Sequence, residues 1–231
     1  MLAPMTRPPG AVRRPRAAAA LAACLALGLS GCAGLGQPQP YDSPGINGLV
    51  IPTPSPSPDD FVSGVDNPWL ALEPGATWRY DVSEEGRPLG TIDAEVLDAT
   101  TEIAGLEATA LRVVMDLDGP TAEEIRFYAQ DEAGNVWLVG VDSATGLSWR
   151  AGVDSAEAGL AMPADPRLGD GWLRFSVPNL LEARTRVEDQ SDTLVQTRDE
   201  AGTTTRNVYE RGVGLASVED LTAGWQAVLS R

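Results

Sequence analysis

The chain has 231 residues, 17 basic and 33 acidic side chains, and a net charge of −16. Every basic residue is arginine, and histidine and lysine are absent. That excludes Ser-His-Asp triads, Cys-His pairs, His-bearing zinc sites, Schiff bases and Ser-Lys dyads. An acidic surface repels phosphates, so no nucleic acid partner is expected.

Residues 1–16 carry Arg7, Arg13, Arg14 and Arg16 and no acid, and Ala17 to Leu29 is an unbroken apolar run. A basic n-region, a short h-region and small residues at its exit predict a secretory signal over 1–31. The run is shorter than the roughly 20 apolar residues of a transmembrane helix, and no other stretch is long and apolar enough to span. Arg13-Arg14 hints at twin-arginine export, but Pro15 and Arg16 follow, and a bare Arg pair is a weak signal.

Leu29-Ser30-Gly31-Cys32 resembles the lipobox of bacterial lipoproteins. Ser30 and Gly31 are small enough for a peptidase to reach the bond before Cys32, whose thiol takes a diacylglyceryl group. Two or three acyl chains anchor stably where one binds only marginally. The resemblance implies a lipid-anchored protein of the cell envelope, on the extracytoplasmic face of the membrane. Cys24 leaves with the signal, so no disulfide forms within one mature chain. Removing the leader's four arginines leaves 13 basic and 33 acidic residues, a net charge of −20.

Residues 32–65 are expected to form the lipidated cysteine and its tether. The runs Gln37-Pro38-Gln39-Pro40 and Pro52-Thr53-Pro54-Ser55-Pro56-Ser57-Pro58 lack an apolar period. Such segments favour extended polyproline II, rising ~3.1 Å per residue. A spacer is expected rather than a docking motif.

One β-rich domain is expected over 66–231, long enough to bury roughly 70% of its unfolded surface. The apolar period is two. Strands are predicted at Thr77–Val82, Thr91–Val96, Leu106–Leu117, Glu124–Gln130 and Asn135–Val141, with a hairpin turn at Asp131-Glu132-Ala133-Gly134. Further strands are predicted at 147–151, 172–177, 183–188, 193–198, 204–210 and 213–219. Leu180–Val187 fits a short helix capped by Asn179, but Ala183, Thr185 and Val187 alternate with Arg184, Arg186 and Glu188, which favours a strand. Many short strands with turns between them predict a mainly β fold, an antiparallel sheet forming an open or half barrel.

Asp66-Asn67-Pro68-Trp69, then Pro74-Gly75-Ala76-Thr77-Trp78-Arg79-Tyr80, resembles the opening of an uncharacterised family of bacterial, actinobacterial-type secreted proteins and lipoproteins. Gly134-Asn135-Val136-Trp137 is similar to its central strand. Ser148–Asp154, leading to Met162–Pro166 and Gly169-Asp170, is similar to its long signature loop, and Tyr209–Gly214 to its last strand. The resemblance implies fold and placement and no activity. The pattern is also similar to the half-barrel of Lol-type lipoprotein carriers and of mycobacterial lipid-carrying lipoproteins.

No phosphate loop or dinucleotide fingerprint is present, and no cofactor is expected. The remaining vocabulary is Asp, Glu, Tyr, Ser and Arg, which leaves a carboxylate-dependent glycan hydrolase as one alternative, with no carboxylate pair singled out. A non-enzymatic role is expected. Residues 148–172 form the most informative stretch, a long loop by weak secondary-structure signal. Its Trp149, Met162 and Trp172 are candidates to line a pocket for an apolar ligand or an envelope partner protein. The competing expectation is that they plug one end of a filled structural or interaction module, since large aromatics in β domains are mostly core. Trp78 and Trp137 are expected in the core. Asp116–Gly119 and Asp131–Asn135 offer oxygen ligands but miss the EF-hand spacing and fall at predicted turns, so no metal site is expected.

Overall fold

The computed structural model describes residues 58–231. The signal segment, Cys32 and most of the tether lie outside the described residues. Within the described residues, regular structure is already present ahead of Asp66, as a 3-10 turn at Pro58–Asp60 and strand β1 (Phe61–Val62). These residues are held by the domain: β1 pairs antiparallel at Phe61↔Asp131, and the Glu132 N–H donates to the Asp60 carbonyl at 3.0 Å.

The remaining strands follow in order. They are β2 (Thr77–Glu84), β3 (Arg87–Val96), β4 (Thr101–Ile103), β5 (Leu106–Asp116), β6 (Ala122–Asp131), β7 (Val136–Ser143) and β8 (Trp149–Arg150). Then come β9 (Glu157–Met162), β10 (Gly171–Ser176), β11 (Ala183–Gln190), β12 (Leu194–Glu200), β13 (Thr204–Glu210), β14 (Gly214–Asp220) and β15 (Trp225–Leu229). The expected strands are present, and 183–188 is a strand rather than a helix. β1, β4, β9 and β15 are not among the predicted strands.

The fold is mainly β, a single antiparallel sheet. Its pairings run β6-β5-β3-β2-β15-β14-β13-β12-β11-β10-β9-β7, and β7 pairs back to β6. The result is a barrel-like ring, with β1, β4 and β8 as short additions to it. The ring is thinnest between β9 and β10, where only Phe175↔Ala158 and Ser176↔Glu157 are paired.

Two kinds of wall make up the ring. In β2 the buried or half-buried Trp78, Tyr80 and Val82 alternate with exposed Thr77, Arg79 and Asp81. In β11 the buried Ala183, Thr185 and Val187 alternate with exposed Arg184 and Arg186. Such strands have one dry and one wet face. In β7 and β9, by contrast, Val136–Gly140 and Ala158–Met162 are buried without interruption. Successive side chains point to opposite faces, so both faces of these strands are covered.

Candidate functional site

The ring encloses a cavity of about 490 Å³, within the roughly 300–1,000 Å³ of small-molecule sites. Its floor is the segment before β2, where Leu70, Ala71 and Leu72 line it. Exposed Thr145, Ala201 and Thr203, from the turns after β7 and β12, also line it, so the cavity opens to solvent at that end.

Asn67 fastens the floor. It is 1% exposed, and all its hydrogen-bonding groups are used. Its Nδ2 donates to the Gly134 and Pro163 carbonyls at 2.8 and 3.1 Å, and its Oδ1 accepts from the Trp69 and Leu70 N–H groups at 2.8 and 3.2 Å. Its own N–H donates to Gln130 Oε1 at 2.9 Å. Gly134 has φ 86 in the hairpin turn between β6 and β7, a conformation that glycine adopts without strain. The Asn-Pro-Trp stretch is therefore a structural bolt: Trp69 is buried, with the Arg211 guanidinium 5.2 Å from its ring centre.

The cavity wall is divided by polarity. One arc, from β2, β3, β5 and β15, presents Trp78, Ile92, Ala94, Leu111, Met115 and Trp225. Tyr80 lies on it too, its hydroxyl donating to the Leu215 carbonyl at 2.9 Å. Burial pushes the Tyr80 pKa up to about 12, with Arg126 pulling in the other direction. The opposite arc, from β6, β10, β12 and β13, presents Arg126, Tyr128, Arg174, Asp199, Asn207 and Tyr209.

Each interior arginine has a carboxylate. Arg126 pairs with Glu124, two residues along β6. Arg174 Nη1 donates to Asp199 Oδ2 at 2.9 Å. Burial works against both charges, but Glu124 and Tyr128 together outweigh it at Arg126, and Asp199 with Tyr128 and Tyr209 outweighs it at Arg174, so both pKa values stand above the ordinary arginine value. Arg126 keeps 35% of its side-chain surface although protein surrounds it, because that surface faces the cavity. Burial and then the Asp199 charge push the Tyr209 pKa up, so its hydroxyl stays protonated.

The sequence-predicted pocket residues are elsewhere. Met162 ends β9 at 0% exposure, paired with Val136. Trp149 is buried in β8, its ring centre 5.4 Å from that of Phe175. Trp172 is buried in β10, and its Nε1–H has no partner among the described residues. None of the three lines the cavity; they belong to the packed core. The stretch 148–172 is not a long loop either, since β8, β9 and the start of β10 occupy much of it. Trp137 is core as expected, whereas Trp78 is half-buried on the cavity wall.

The residues that the sequence did not single out are Arg126, Arg174, Asp199 and Tyr209. One signal was present. Asp199 falls in phase with Val195 and Thr197 on β12, and a charge on the dry phase of a strand must find a partner or a cavity.

The acids that reach the cavity are engaged. Glu123 is paired with Arg112, which lowers its pKa. Asp220 Oδ1 accepts from the Thr222 and Ala223 N–H groups in the turn before β15. The carboxyl group that burial pushes up is Asp170, which caps the Arg167 N–H away from the cavity. Asp131 holds the Asn135 N–H and Trp137 Nε1–H at 2.9 Å each, as a turn cap. Among the described residues no cluster of metal-ligating side chains occurs. Comparison with protein-family models, curated proteins and solved structures gave no match.

Proposed function

We propose that this protein is a cell-envelope lipoprotein, anchored on the extracytoplasmic face through lipidated Cys32, whose β domain binds an apolar or amphipathic ligand without transforming it. The observation that carries the reading is the open cavity of about 490 Å³ with one continuous apolar arc. An apolar wall facing water costs ~25 cal/mol per Å² until something covers it. A filled interaction module has no use for such a cavity, which weighs against that alternative. The engagement of the cavity acids by arginines and turn N–H groups weighs against a glycan hydrolase, which needs one carboxyl group free to hold a proton.

The lipobox supports the anchor, and the proline-rich segment after it supports a spacer between membrane and domain. The test is native mass spectrometry of the protein extracted from its own membranes. The expected result is a diacylglyceryl adduct on Cys32 and a second, non-covalent mass of a small apolar molecule. An unmodified Cys32 overturns the anchor. A protein that never carries or accepts an apolar molecule overturns the ligand reading.

A further inference from the structure

Resting on that reading, the hydrogen-bonding capacity of the polar arc narrows the ligand. Asp199 is engaged through both oxygens: Oδ2 takes the Arg174 bond, and Oδ1 accepts from Thr185 Oγ1 at 2.9 Å and Thr197 Oγ1 at 3.3 Å. Arg174 is less fully used. A guanidinium carries five N–H donors, and among the described residues Arg174 forms only the Nη1 bond to Asp199. Its Nε–Nη2 edge is left over, and that edge is the fork that meets a carboxylate with two parallel bonds. Tyr209 lines the same cavity, and its hydroxyl, held protonated by burial, is a further donor. Arg174 thus brings spare donors to the cavity wall.

We infer that the ligand is a single-chain amphiphile with a carboxylate head, the head seated on Arg174 and Tyr209 and the chain lying along Trp78, Ile92, Leu111 and Met115. A single chain fits a cavity in the size range of one small ligand. A singly charged head fits because Asp199 already holds Arg174 Nη1, so a dianion meets more repulsion than one guanidinium edge offsets. The net charge of −16 opposes an incoming anion. That field is screened over ~8 Å at physiological salt, whereas the guanidinium, its side chain 23% exposed, acts at contact.

The experiment is displacement of phenylnaphthylamine, an uncharged apolar fluorophore, from the intact protein by palmitate, hexadecanol and hexadecyltrimethylammonium. Palmitate is expected to displace at about tenfold lower concentration than hexadecanol, and the cation to displace worst. Arg174→Gln removes the preference for acid over alcohol. Because that change leaves Asp199 buried without its partner, Asp199→Asn is the second variant, with melts confirming that each is folded. It frees Arg174 and is expected to widen the preference for palmitate. Equal displacement by acid and alcohol, or an Asp199→Asn variant with an unchanged preference, overturns the head-group assignment and leaves the cavity reading standing. If the fluorophore does not enter and no amphiphile binds, the cavity reading itself fails.

Discussion

The arc formed by β2, β3, β5 and β15 and the region of β7 and β9 are both β-sheet, yet they do different work. In the first, inward side chains border a cavity and outward ones border water, as Tyr80 and Arg79 do on β2. In the second, every residue from Ala158 to Met162 is buried, and only Ala161 of them reaches the cavity. On the proposed function, the first wall can lose or gain contacts with a ligand at little cost to the fold. The second holds the ring shut and tolerates almost nothing. On the same proposal, the apolar part of binding and the closure of the ring are then separated around one circumference.

The sharpest way to break this comparison is at Gly159. An added Cβ there would lie 2.3 Å from the Arg174 carbonyl carbon and 2.5 Å from the Leu173 carbonyl oxygen. Both are backbone atoms, so no side chain can swing aside. They belong to β10, the neighbour with which β9 has just two paired positions. Gly159→Ala is expected to cost on the order of 4 kcal/mol, above the usual overpacking range, since a strand must move. Urea unfolding measures it. A loss under about 1 kcal/mol would show that the seam is loose and that the ring does not depend on it.

Two methionines sharpen it. Met162→Ala removes a side chain at 0% exposure and is expected to cost about 3 kcal/mol, mid-range for a buried Met. Met115→Ala removes a half-buried side chain that already borders the cavity. Less contact is lost there, so the expected cost is well under ~2 kcal/mol, the lower end of that range. Affinity should respond the other way round: Met115→Ala weakens binding of the apolar fluorophore, and Met162→Ala, once corrected for unfolded protein, does not. Equal destabilisation by the two changes would erase the distinction between the walls.

That distinction also governs what the sequence could reveal. Strands of the one-sided wall announce themselves by alternation, and β2, β3 and β11 were legible for that reason. Glu157-Ala158-Gly159-Leu160-Ala161-Met162 has no alternation because neither face is wet, so β9 reads as loop. Of its residues Met162 reads either as a pocket lining or as packed core, and the structure shows the second: it belongs to the packing beside the cavity. Missing β15 had another cause, since Trp225, Ala227 and Leu229 do alternate with exposed Gln226 and Val228. The site was less legible than the fold. Arg174 is a bulge neighbour on β10, between Leu173 and Phe175 where the register shifts, so its phase cannot be counted from the sequence. Its partner Asp199 is two strands away.

The smallest expected effect is on the wet face of the one-sided wall. Arg79 Nε and Nη2 donate to Asp93 Oδ1 and Oδ2 at 2.7 and 3.0 Å, a two-bond pair across β2 and β3. By geometry it looks stronger than the single bond of Arg174 to Asp199. Yet its side chains are 63% and 41% exposed, against 23% and 10% for the interior pair. Water competes for every donor, salt screens the attraction, and two long side chains must be held still. The Arg79 guanidinium lowers the Asp93 pKa, so any stabilisation is present above the ordinary aspartate value and is lost as pH falls through the lowered one. Arg79→Ala is therefore expected to leave the melting temperature near that of the wild type at neutral pH in physiological salt. A small deficit at low salt should disappear in acid, where Asp93 is protonated in both proteins. A large loss at neutral pH, persisting in high salt, would mean that the outer face of this wall carries stability after all, and the separation of binding wall from structural wall would have to be redrawn.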